Sequence, residues 1–207
     1  MATRPAEFFR RVRVDQPRSA LLFGVLAATV GNVMAALYNY LSRAAMAARF
    51  PATPPNLPPE LQQLFDWGRK VVMESSTLEG FVRQAVLAPL WALVGIYLWA
   101  GVLHLVLILF RGRRRGFDAT LTVVAYAYGL SLVSAVPVCG GLVAWVWFLA
   151  VLVIGLGEAQ RCGPGKAAAA VFAPLLLLCL FGCVAVVVVG VFATQAISAA
   201  TSAGVSL

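Results

Sequence analysis

The sequence predicts an all-α, polytopic membrane protein with five transmembrane helices and an amphipathic interfacial helix in its first extracytoplasmic loop. Three observations carry this. Of 207 residues, 61% are hydrophobic and 12% charged, against roughly a quarter charged in a soluble domain. The apolar residues fall into five long runs, each near the roughly 20 residues that a helix needs to cross a bilayer. Basic residues gather in alternate connections between those runs, as orientation signals do.

The first run, residues 20–41, is ALLFGVLAATVGNVMAALYNYL. It follows a short basic N-terminus, residues 1–19, with five arginines. Its apolar core exceeds the 7–15 residues or so of a signal peptide, so it reads as a retained anchor. Before it, PAEFFRRVR places Phe8 and Phe9 beside Arg10, Arg11 and Arg13. That pairing suits a short helix at headgroup level, rings down and charges up.

The longest polar stretch, residues 42–83, opens with the proline cluster PATPPNLPP. Leu61, Leu64, Phe65, Gly68 and Val72 then recur at spacings of three and four, which predicts a helix with one apolar face. Ser76 and Glu79 form an S-x-x-E capping box for the helix leading into the second span. That span covers residues 85–110 and ends at the loop RGRRRGFD. The third covers residues 119–136 and stops at Pro137, where PVCGG makes a tight turn. The fourth covers residues 142–158. The fifth, residues 167–195, follows AQRCGPGK, contains Pro174 as a site for a kink, and leads into an uncharged, loose tail over residues 196–207.

Loop charge gives the bundle a direction. The N-terminus, the RGRRRGFD loop and the pair Arg161 and Lys166 hold eleven of the sixteen Lys and Arg residues. With five spans these segments share a side, and the positive-inside rule puts it in the cytoplasm, with the C-terminus outside. In a bacterium this is the inner membrane.

The net charge of +8 has the same explanation. Because the basic residues flank apolar runs instead of interleaving with aromatics, they point to anionic lipid and exclude nucleic acid as the partner. Arg111, Arg113, Arg114 and Arg115 are the candidate contacts with the membrane surface or a partner. A membrane-protein partner and a homo-oligomer are both compatible with these features.

Polar residues inside spans are the place to look for function. His104, Tyr126 and Glu158 should fall in one leaflet and make a candidate intramembrane cluster. Asn32, near the middle of span one, is a candidate for helix packing, because lipid offers an amide no partner. The small residues Ala20, Gly24 and Ala28, with Ala27, Gly31 and Ala35 beside them, make span one a central helix. Cys139, Cys162, Cys179 and Cys183 lack the paired spacing of a metal site. With no catalytic or phosphate-binding motif present, neither a catalytic residue nor a cofactor or metal is predicted.

From His104 to Pro174 the order of motifs resembles the Yip family, the Ypt/Rab-interacting membrane proteins, in its bacterial form. The matching positions are His104, Phe117, Thr120 and Tyr126, then Pro137 and Gly140, then Gly155, Leu156 and Glu158, then Lys166, Ala167 and Pro174. PAEFF resembles the motif preceding that family's first span. Leu130 stands where many members have proline, which implies a straighter third span. The resemblance implies five spans and a cytoplasmic N-terminus. Eukaryotic members partner prenylated Rab GTPases through a long N-terminal region, whereas only about 19 residues precede the first span here. The Ala, Arg, Val and Leu bias suits a GC-rich bacterial gene, where no Rab exists. The expected role is therefore a non-enzymatic membrane interaction or organising protein; the alternative is a small transporter or channel using His104, Tyr126 and Glu158.

Overall fold

The computed structural model describes residues 5–12, 14, 16–42, 45, 59–75, 77–136 and 140–204. The proline cluster before Pro59 and most of the turn after Val136 lie outside the described residues. Among the described residues, seven α-helices have both ends placed, in order: α1 (Pro5–Arg11), α2 (Pro17–Leu41), α3 (Pro59–Ser75), α4 (Leu78–Leu109), α5 (Phe117–Ala127), α6 (Gly140–Gln160) and α7 (Pro164–Gly204). A 3-10 segment, Tyr128–Ala135, continues α5. Among the described residues, α2, α4, α6 and α7 are long and apolar enough to cross a membrane, and Phe117–Val133 is a shorter apolar helix. The chain is thus an all-α polytopic membrane protein.

Helix α2 is central because it is narrow on its inner side. Ala20, Gly24, Ala27, Ala28, Gly31 and Ala36 are buried, and α2 packs against α4, α5 and the 3-10 segment. A Cβ on Gly24 would strike the Ala125 carbonyl, and one on Gly31 would strike that of Ser131. Backbones at this distance gain dispersion contacts that larger side chains would prevent. Asn32, expected to pack between helices, is instead exposed on α2; the small residues beside it make the close approach.

The third apolar run departs from the straight span expected from Leu130. It leaves α-helical geometry at Tyr128 and runs on as 3-10 helix, although no proline forces it. Two local features favour the tighter turn. Gly129 is a weak helix former, and Ser131 Oγ donates to the Tyr128 carbonyl at 2.6 Å, three residues back. A 3-10 helix rises about 2.0 Å per residue against about 1.5 Å in an α-helix. The eleven α-helical residues therefore cover about 16 Å and the eight 3-10 residues about another 16 Å, together near the roughly 30 Å of hydrocarbon.

Two element boundaries differ from those read in the sequence. The cap of α4 is Thr77, whose Oγ1 accepts from the Gly80 N–H at 3.0 Å and donates to the Glu74 carbonyl at 2.7 Å; Ser76 lies outside the described residues. Helix α7 continues to Gly204, so the stretch from Ala196 is helical where a loose tail was expected. Its sequence, AISAATSAG, is rich in alanine, the strongest helix former.

Among the residues of α7 whose burial is described, those at its start join the bundle. Ala167, Ala170 and Val171 are wholly buried, whereas the large apolar residues Leu176, Leu177, Leu178, Leu180 and Phe181 are all exposed. A helix that is apolar all round needs a non-aqueous surrounding.

Candidate functional site

Helix α4 ends in a Schellman cap. The Arg111 N–H bonds to the Ile108 carbonyl at 3.0 Å and the Gly112 N–H to that of Leu107 at 2.7 Å, the paired bonds of that motif. The cap requires a left-handed residue at position 111, where glycine is usual; here it is arginine, at φ 50°. Arg161 follows α6 in the same conformation, also at φ 50°. A cation at a helix C-terminus complements the partial negative charge there.

Between α4 and α5 the chain must turn with its own amides unpaired, and Gln160 supplies their partner. This last residue of α6 is wholly buried. Its Oε1 accepts from the backbone N–H of Arg114 at 3.1 Å and of Arg115 at 2.7 Å. Its Nε2 donates to the Gly116 carbonyl at 3.3 Å and to Thr120 Oγ1 at 3.0 Å. Two donors and two acceptor positions are all an amide side chain has, and each is used.

The network continues inward. Thr120 Oγ1 lies 3.0 Å from His104 Nδ1, and because it already accepts from Gln160 its own proton is free to point at the ring. His104 stands edge-on to Phe117, ring centres 5.5 Å apart. On the outer side, Lys166 Nζ donates to the Arg111 carbonyl at 3.1 Å, tying the start of α7 to the same loop. The backbone of residues 111–116 is thus held by α4, α6 and α7, while Arg111, Arg113, Arg114 and Arg115 are all exposed.

Helix α1 completes this end. Arg10 makes a two-pronged ion pair with Glu158, at 2.9 and 3.1 Å, and the hydrogen bond and charge of that carboxylate hold the Arg10 proton more tightly than usual. The aromatic rings do not face lipid as the headgroup-level reading expected. Phe9 is 3% exposed and fills the notch over Gly155, where a Cβ would come within 2.9 Å of its ring. Phe8 meets Tyr126 edge-to-face at 5.0 Å. After α1, the Val14 carbonyl accepts from Thr122 Oγ1 at 3.2 Å. The rings enter protein because Gly155 leaves a cavity that fits one, and an aromatic pair gains about 0.5–1.5 kcal/mol beyond its buried area.

His104, Tyr126 and Glu158 are consequently engaged by three different partners: Thr120, the Phe8, Phe9 and Phe23 rings, and Arg10. Each contact ties its residue to a neighbouring helix. The residue that organises this end, Gln160, sits in AQRCGPGK, a segment whose sequence predicts only a polar turn. Cys162 lies half-buried beside it. Burial pushes its thiol pKa up, against a smaller opposing pull from Lys166 and Arg114. Open clefts of about 520 Å³ beside Glu158 and Arg161, and about 430 Å³ beside Arg115 and Asp118, flank the arginine loop.

Helix α1, the 111–116 loop and the start of α7 are thus joined to the C-terminal end of α6 or to one another, through Arg10 with Glu158, Gln160 with Arg114 and Arg115, and Lys166 with Arg111. The family model for the Yip1 domain matches residues 1–186. No curated protein and no solved structure matches the chain.

Proposed function

Since the chain belongs to the Yip1-domain family, we propose that it is a non-enzymatic membrane interaction or organising protein whose working surface is the arginine loop. In this reading the chain crosses the membrane five times, the α5 and 3-10 pair making the third crossing. The basic end faces the cytoplasm, as the excess of positive charge on that side implies. In a bacterium the membrane is the inner one.

The observation that carries the proposal is the contrast within residues 111–116: a backbone bonded at Leu107, Gln160 and Lys166, bearing four exposed arginines. Buried, fully bonded side chains that immobilise a loop reduce the entropy lost when that loop is bound. Anionic lipid adds about 1 kcal/mol per arginine near the surface, and carboxylates on a partner would pair with the same guanidiniums two-pronged.

Photo-crosslinkers at Arg113 and Arg115, followed by mass spectrometry on native membranes, test this. Specific protein partners are the expected product. Lipid adducts alone would reduce the loop to an orientation signal and sink the proposal.

A further inference from the structure

Asn32 is an amide at mid-depth in α2. It lies about 18 Å along α2 from Ala20, in a hydrocarbon layer about 30 Å thick. It is exposed, and no hydrogen-bond partner for its side chain occurs among the described residues. The contrast with its neighbour is direct: Thr29, one turn earlier, donates to the Val25 carbonyl at 2.7 Å. His104, a strongly polar side chain within α4, is bonded to Thr120. An amide facing lipid tails leaves two donors and a carbonyl unsatisfied.

We infer that Asn32 marks a self-association surface, and that its occupant is Asn32 of a second copy of this chain. Three features favour an identical partner. First, an amide both donates and accepts, so two asparagines facing each other across a two-fold axis satisfy one another. Second, copies inserted in the same orientation bring their Asn32 residues to the same depth automatically, whereas an unrelated helix would need a polar group of its own at that level. Third, of the residues one turn away, Ala28 and Ala36 are buried within the chain's own bundle and the two that keep some exposure, Thr29 and Ala35, are small, so a second helix meets no large side chain as it approaches the amide. This surface is separate from the arginine loop, and the inference does not depend on the function proposed for that loop.

The test uses the full-length chain, labelled with donor and acceptor dyes, in phosphatidylcholine and phosphatidylglycerol vesicles. Energy transfer is followed as the protein is diluted with lipid. Asn32→Leu should weaken association about tenfold, the scale of one or two amide hydrogen bonds in a membrane, while Asn32→Gln keeps it within about twofold. Because Asn32 is exposed, the leucine variant should keep the wild-type helix content and melting temperature. Should it misfold, cysteine pairing decides instead. In a chain with its four cysteines replaced, Asn32→Cys should give oxidised dimers, and Val30→Cys, exposed on the far side of α2, should not. The inference is overturned by transfer that Asn32→Leu leaves unchanged, by monomers at every dilution, by equal crosslinking at position 30, or by Asn32→Cys joining a different protein in native membranes.

Discussion

Replacing Gln160 by leucine keeps nearly the same volume and removes four hydrogen bonds at once. Three of them, to Arg114, Arg115 and Gly116, are part-buried and contribute about 1 kcal/mol each. The fourth, to Thr120, is fully buried, and its loss leaves a hydroxyl with fewer partners at a cost of about 1–3 kcal/mol. Water reaching the loop amides recovers part of this, so the net loss should be about 3–4 kcal/mol. The loop and the global fold should respond differently. Amide hydrogen exchange at Arg114 and Arg115, measured in detergent micelles, should accelerate about a hundredfold, since about 1.4 kcal/mol is a factor of ten. Reversible unfolding in the same micelles should show the total loss. Thr120→Val is the companion variant: it breaks only the inner link, should cost about 1–2 kcal/mol, and should leave the two loop amides protected. If Gln160→Leu leaves exchange at Arg114 and Arg115 unchanged, or costs less than about 1 kcal/mol, the loop is held by something other than this side chain and the reasoning fails.

Three further outcomes follow from the same geometry. Gly155→Leu should expel α1, because even a Cβ there comes within 2.7 Å of Val123 and 2.9 Å of Phe9; limited proteolysis should then cut between α1 and α2, whereas Arg10→Ala, which removes a solvent-exposed pair, should expose that site only slightly. Arg111→Gly should raise thermal stability in detergent by about 1 kcal/mol, the cost of a left-handed non-glycine residue, and Arg111→Ala should not. The raised Cys162 pKa predicts slow maleimide labelling at neutral pH. Its thiolate fraction is small there and grows about tenfold per pH unit until the pKa is reached, so a labelling rate at Cys162 independent of pH between 7 and 9 would contradict the burial argument.

The long helices were legible because hydropathy reports directly on lipid exposure, and the arginine loop because clustered charge at the end of an apolar run marks where the chain leaves the bilayer. Gln160 was not, since its partners are backbone groups of a segment about 45 residues away, and backbone groups carry no sequence signature. The Arg10 and Glu158 pair was hidden for a related reason: each reads as an ordinary interfacial charge until α1 is placed beside α6. The exposure of Asn32 was not legible, because polarity within a span says that a partner is needed without saying on which side of the helix it lies. The switch at Tyr128 is a balance between local backbone geometry and the close approach of α2, and hydropathy is the same for either helix type.

The position of α1 also sets an order of assembly. The Arg10 and Glu158 pair joins residues 148 apart, and Phe9 rests on Gly155. At about 5–20 residues per second, the site that receives α1 is made on the order of ten seconds or more after α1 itself. Helix α1 leaves the ribosome before α6 and must therefore wait at the membrane surface until α6 has been inserted. Its docking then closes the basic end of the bundle, so a chain truncated before α6 would present the FFRR segment to quality-control proteases and a finished one would conceal its aromatic rings.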